Sequence, residues 1–273
     1  MWLFPLAAAI VAGAFATQMG RQFAAKRRPH QLAWTLALLL FALATLATAD
    51  GIRAGWTPGL FRTFYLFGAV INVPFLALGT MYLLAPRKWG HAFAAVVVVA
   101  SALGLKAVLD TPLRVAPLRA VKGIPDFARI IVGAAPLSRT LADYYSYTAF
   151  AIVVGGAVWS AWRLLRKARP LHNGRPLQQG RPLHKVKGND HLRRLASGNI
   201  LIATGTTVVA AASIVVHFGK GSVAAALFSI GLLAGITLMF GGFLRTRPKP
   251  VPAPSPAASP APPAAPAQPA VDG

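Results

Sequence analysis

Polar side chains that interrupt long apolar runs are the residues of this chain with chemistry to offer. Asn72 and Pro74 stand near the middle of one such run, whose helical core is 63–84. A helix of about 22 residues is roughly 33 Å long, which puts Asn72 close to the midpoint. Pro74 has no N–H, so the carbonyl of Val70 is expected to lose its donor. An amide beside such a kink can hold a substrate hydroxyl or serve a hinge. It can equally make an interhelical hydrogen bond worth roughly 0.6–2 kcal/mol that simply holds a bundle. A second run carries Asn199, Thr204 and Thr207 among small residues. Hydroxyls can satisfy themselves against their own helix backbone, so threonines alone mark little. The expected polar bundle or ligand site is Asn72, Pro74, Asn199, Thr204 and Thr207.

A charged group gathers at the other ends of the runs. Asp50, Arg53, Arg62, Lys106 and Asp110 could line an outer vestibule for an anionic or zwitterionic ligand, with Asp143 and the tyrosines 144, 145 and 147 nearby. The plainer reading is a set of interfacial ion pairs within an aromatic belt. Lys106 and Asp110 are four residues apart and can pair on one helix face. Lys106 lies within an apolar run, so it must pair or snorkel.

Catalysis finds little to work with. The acids are Asp50, Asp110, Asp126, Asp143, Asp190 and Asp272, with no glutamate and no cysteine. None of the aspartates lies deep inside an apolar run, and general acid–base chemistry needs a tunable group beside the substrate. His172, His184 and His191 are irregularly spaced and flanked by cations, which is not a metal-ligand pattern. No catalytic residue, metal or cofactor is expected, and ion- or proton-driven pumping is disfavoured by the lack of intramembrane acids.

The elements that must position these residues are membrane spans. The chain is 55% hydrophobic and 12% charged, against about 25% charged in average proteins. A span needs about 20 apolar residues to cross roughly 30 Å of hydrocarbon. Seven candidates fall at about 2–19, 32–49, 63–84, 91–109, 144–165, 197–217 and 222–243. They do not alternate polar and apolar as barrel strands would. The expected fold is an all-α bundle of seven transmembrane helices. Its net charge of +22 sits in short loops, a footprint of topology and anionic headgroups rather than of nucleic-acid binding.

Basic residues set the orientation. No Lys or Arg precedes the first run, and Arg21, Lys26, Arg27 and Arg28 follow it, unlike a signal peptide. Arg87 and Lys88, the stretch from Arg163 to Arg194, and Arg245, Arg247 and Lys249 fall on the same side. The expectation is N-terminus out and C-terminus in, in a bacterial plasma membrane.

Residues 1–245 form the seven-span domain, which includes a basic cytoplasmic loop over 166–196. That loop repeats a hexapeptide: Arg169-Pro170-Leu171-His172-Asn173-Gly174, then Arg175-Pro176-Leu177-Gln178-Gln179-Gly180, then Arg181-Pro182-Leu183-His184. Repeated Pro and Gly argue against a continuous helix there. It suits an expanded linker on lipid headgroups or a docking segment for an acidic cytoplasmic partner. The tail, 246–273, is Pro, Ala and Ser rich and expected to be disordered. Outside, residues near 110–143 form the longest loop, with a short interfacial helix expected over Phe127 to Val132. This loop is the natural lid over an outer cavity. Gly231 and Gly235 form GxxxG, which suits close packing of the last two spans or a homo-oligomer contact.

The stretches FRTFYLFGAVINVPFLALGTMYLL (Phe61 to Leu84) and GNILIATGTTVVAAAS (Gly198 to Ser213) resemble segments of uncharacterised seven-span membrane proteins of actinobacteria. The resemblance implies a seven-span fold and brings no activity or site residues. In span count and orientation the chain is also similar to the SWEET sugar facilitators, whose paired Pro-Gln motifs it lacks. Together these readings favour a binding, sensing or scaffolding membrane protein without catalytic chemistry. The alternative is a passive facilitator of a small polar solute.

Overall fold

The computed structural model describes residues 1–133, 136–168, 183–218 and 221–246. The hexapeptide repeats up to Pro182 and the tail from Arg247 onward lie outside these residues. So does the turn at 219–220 between the last two spans.

The described chain is all-helical apart from one antiparallel bridge, Leu113 with Ile131. Seven helical stretches are long and apolar enough to cross a membrane, and the protein is a multi-pass membrane protein. The first span is α1 (Leu3–Lys26) and the second α2 (Pro29–Ala54). Arg27 adopts the left-handed conformation (φ 49°) and ends α1, while Pro29 starts α2 with the ring-fixed φ that suits a first helical turn. The third span is composite: α3 (Pro58–Tyr65), a π-helical segment (Leu66–Ile71) and α4 (Asn72–Leu84). Thr57 caps α3 by accepting from the Leu60 N–H at 3.2 Å. Then follow α5 (Arg87–Asp110), the short α6 (Val115–Arg119) and α7 (Phe127–Ile130), α8 (Leu137–Ala168), α9 (Leu183–Phe218) and α10 (Gly221–Thr246).

Six spans close a ring. α1 packs on α2, α2 on α4, α4 on α8, α8 on α9, α9 on α10, and α10 returns to α1. α5 stands outside, against α4, the π segment and α8. The interior is built from small residues, with Ala8, Ala12, Ala16, Ala33 and Ala37 buried, while Leu39, Leu43, Val98 and Val99 face out. This is the expected solution in lipid, where no hydrophobic drive separates inside from outside and close backbone approach supplies the packing.

The tightest pair is α9 with α10. A Cβ on Gly205 would sit 2.5 Å from the Gly235 carbonyl oxygen, and one on Gly242 would sit 2.6 Å from the Gly198 oxygen. Gly231 likewise abuts Ala212. Both glycines of the GxxxG motif therefore face α9 within the chain, and a homo-oligomer would have to use another face.

Two sequence expectations shift. The helix of α9 begins at Leu183, inside the segment expected to be a non-helical loop to 196. Past Pro182 there is no further proline to interrupt the backbone hydrogen bonds. The helix expected over Phe127 to Val132 is only four residues, Phe127–Ile130, because Ile131 and Val132 turn to pair with the strand-like 112–114 segment.

Candidate functional site

The broken third span sets up the interior. Pro74 cannot donate, so the carbonyls one turn below it compete for one donor fewer. The helix answers by widening to the π form just before Asn72. The carbonyl that takes a donor from a neighbouring helix is then that of Ala69 rather than of Val70: Ser146 Oγ on α8 donates to it at 3.1 Å. Further along, the Leu76 carbonyl accepts from Trp34 Nε1 at 3.2 Å and from Thr80 Oγ1 at 3.1 Å. Gly79 permits that approach, since a Cβ there would overlap the Trp34 ring.

A cavity of ≈ 80 Å³ lies inside the ring, walled by residues of all six ring spans. Phe15, Leu38, Leu76 and Met239 give it an apolar body, and Thr80, Ser160 and Asn199 supply its polar groups. Asn199 Nδ2 donates to Ser160 Oγ at 2.9 Å, tying α9 to α8. No lining residue is titratable. Every wall residue comes from the half of its span that leads to the same end of the bundle. That end carries Arg21, Lys26, Arg27, Arg28, Arg87, Lys88 and Arg245.

The opposite end is closed. Residues 112–132 fold over it, fastened by Arg114 N–H to the Ile130 carbonyl (2.8 Å) and Val132 N–H to that of Pro112 (3.1 Å). Leu118 and Ile130 of this cap are buried, as is Trp56 beneath it. Trp56 Nε1 donates to the Gly123 carbonyl at 2.6 Å. Phe127 stacks into Phe64 and Tyr65, with ring centroids 5.9 and 4.9 Å away. The expected interfacial helix is thus a plug over the bundle.

The expected sites are not brought together. Asn72 is buried, with its Oδ1 unpartnered, and shares a face of α4 with the cavity residues Leu76 and Thr80. Asn199 lines the cavity. Thr204 and Thr207 are exposed on the far side of α9, because Gly198 and Gly205 commit the opposite face to α10. Thr207 bonds its own helix at the Ala203 carbonyl.

The outer charges also separate. Arg53 lies over the Trp2 ring, 5.5 Å from its centroid. Arg62 reaches the Thr111 carbonyl at 3.4 Å under the cap. Lys106 pairs with Asp110 on the outward face of α5, where the two side chains are 75% and 62% exposed. Asp50 is exposed, and no ion pair joins it, Arg53 or Arg62 to one another among the described residues.

Reading the sequence missed Ser160, Trp34 and Thr80. A polar residue on the small-residue face of a span is the signal that finds them, since that face points inward. No protein-family model, curated protein or solved structure matches the chain.

Proposed function

We propose that this protein is a binding or sensing protein of the bacterial plasma membrane, without catalytic chemistry, and that its ligand site is the cavity within the six-span ring. The observation that carries the reading is the pairing of that cavity with the closed cap at the other end. A site confined to one half of the bundle, with the other end capped, suits capture of a ligand better than passage through the bundle. The positive-inside distribution puts the cavity half in the cytoplasm-facing leaflet, with the N-terminus out and the C-terminus in. The basic segments of that face then lie against anionic headgroups, where the loop near 166–196 also suits an acidic cytoplasmic partner. Apolar walls with a few hydroxyl and amide groups fit an apolar or amphiphilic ligand that needs orientation rather than reaction.

Native mass spectrometry of the full chain released from nanodiscs tests the reading. The expected result is a retained small molecule at stoichiometric ratio that Ala157→Phe, which fills the cavity, displaces. A protein that releases bare from membranes of native lipid composition refutes it.

The passive facilitator remains the second reading, favoured by Asn72. Its unpartnered Oδ1 sits about 6 Å further along α4 than Leu76, between cavity and cap. Solute flux in proteoliposomes that Asn72→Ala abolishes would place this reading first.

A further inference from the structure

The hydroxyls of the spans follow one habit, and the cavity holds an exception. Thr45, Thr48, Thr206, Thr207, Ser213 and Ser229 each donate to a carbonyl one turn back in their own helix. Ser160 does not. Its Oγ accepts from Asn199 Nδ2 at 2.9 Å and, among the described residues, donates to no protein group. Asn199 Oδ1 likewise receives no donor from the described residues. Both side chains line the cavity. The other donors of the wall are committed, since Trp34 Nε1 and Thr80 Oγ1 both donate to the Leu76 carbonyl. One unused donor and one unused acceptor therefore stand side by side in a wall that is mostly apolar.

We infer that the cavity binds a small neutral alcohol, whose hydroxyl accepts from Ser160 Oγ and donates to Asn199 Oδ1. The inference rests on the cavity being the ligand site, as proposed above. Size sets the first limit. An apolar cavity of about 150 Å³ takes benzene, and this one is ≈ 80 Å³. That leaves room for about three or four non-hydrogen atoms. Charge sets the second. With no titratable residue in the wall, an ammonium or a carboxylate would enter without a counter-charge. Hydrogen bonding sets the third. A hydroxyl donates and accepts through a single oxygen, whereas a ketone or ether only accepts and would leave Asn199 Oδ1 unmatched. The alkyl part meets Phe15, Leu38 and Met239. Water filling the same space would lack hydrogen-bond partners along that surface.

The methionines make the test direct. The chain has four, Met1, Met19, Met81 and Met239, and of these Met19 and Met239 line the cavity. The full chain, isotope-labelled at its methionine methyl groups, is followed by NMR in nanodiscs. It is titrated with isopropanol and, separately, with acetone, which matches isopropanol in size but only accepts. Isopropanol should shift Met19 and Met239 saturably and bind about two- to tenfold more tightly than acetone, the worth of one hydrogen bond. Met1 and Met81 should show no more than the linear drift of a solute dissolved in the bilayer. Asn199→Leu should remove the difference between the two probes. Equal or tighter binding of acetone by the parent chain overturns the alcohol assignment while leaving the cavity as a ligand site. Saturation by neither probe, with Met19 and Met239 drifting as Met1 and Met81 do, overturns both this inference and the cavity reading. The comparison of probes in the parent chain needs no variant, so it decides even if Asn199→Leu fails to fold.

Discussion

Gly241 and Gly242 are neighbours in α10, and replacing each with alanine should move stability in opposite directions. A Cβ on Gly242 would lie 2.6 Å from the Gly198 carbonyl oxygen and 3.0 Å from side-chain carbons of Ile202 and Leu201. Carbon–oxygen contacts of this kind settle near about 3.3 Å, so α9 and α10 must part by about 0.7 Å at that level. The nearest obstacle is backbone, which cannot rotate away as a side chain can. Overpacking of this type costs about 1–3 kcal/mol. A Cβ on Gly241 meets nothing within 4 Å. There only helix propensity changes, a gain of about 0.8–1 kcal/mol. Both variants share that gain, so the gap between them, about 1–3 kcal/mol, measures the seam alone. Steric trapping or SDS titration in mixed bicelles reads the unfolding free energy of each. Gly198→Ala should follow Gly242→Ala, since its Cβ meets the Gly242 oxygen at 2.8 Å. Equal effects at 241 and 242, or a larger loss at 241, would refute the packing of α9 on α10. If the glycines instead served a homodimer, Gly242→Ala would change the oligomeric state and leave the unfolding free energy of the monomer alone.

Other substitutions probe the cap and the broken span. Trp56→Phe removes the donor to the buried Gly123 carbonyl and should destabilise the cap by about 1–3 kcal/mol; hydrogen exchange over 118–131 should quicken while the spans stay protected. Ser146→Ala withdraws the donor from the Ala69 carbonyl and should lower stability by about 0.6–2 kcal/mol in the same unfolding assay; no change would mean the π segment satisfies itself. Asn72→Leu replaces an unpartnered buried amide with an apolar side chain of similar size, so the variant should be as stable as the parent or more so. A loss above about 1 kcal/mol there would mean that Oδ1 has a partner.

The spans were legible because hydrocarbon thickness imposes a length on any helix that crosses it. Their ends were less so. Hydropathy marks where the bilayer stops, whereas backbone hydrogen bonding carries α8 back to Leu137 and α9 back to Leu183. Asn72 and Pro74 were recognisable as a break in a helix, but the choice of Ala69 over Val70 depended on how the turn widened and on Ser146 arriving from α8. Thr204 and Thr207 stand on the exposed face of α9, where a hydroxyl in a span can be satisfied by its own backbone, as Thr206, Thr207 and Ser213 all are. The outer charges take separate partners, because shared depth in the membrane does not imply a shared place around the bundle.

Composition and run length by themselves determine that this is a seven-span helical membrane protein, and the placement of basic residues gives its two ends different character. Which faces turn inward, and so where the cavity lies, was decided only in the tertiary structure. The physical reason is the solvent. In water a helix declares its inner face by being apolar there, but in lipid both faces are apolar and α9 carries no useful hydrophobic bias. What sorts the faces is size: Gly198, Gly205 and Gly235 let backbones touch, and Ala8, Ala12 and Ala16 let α1 close on the ring. Those contacts are long-range, between residues as distant as 15 and 243, and the chamber exists only once the ring has closed.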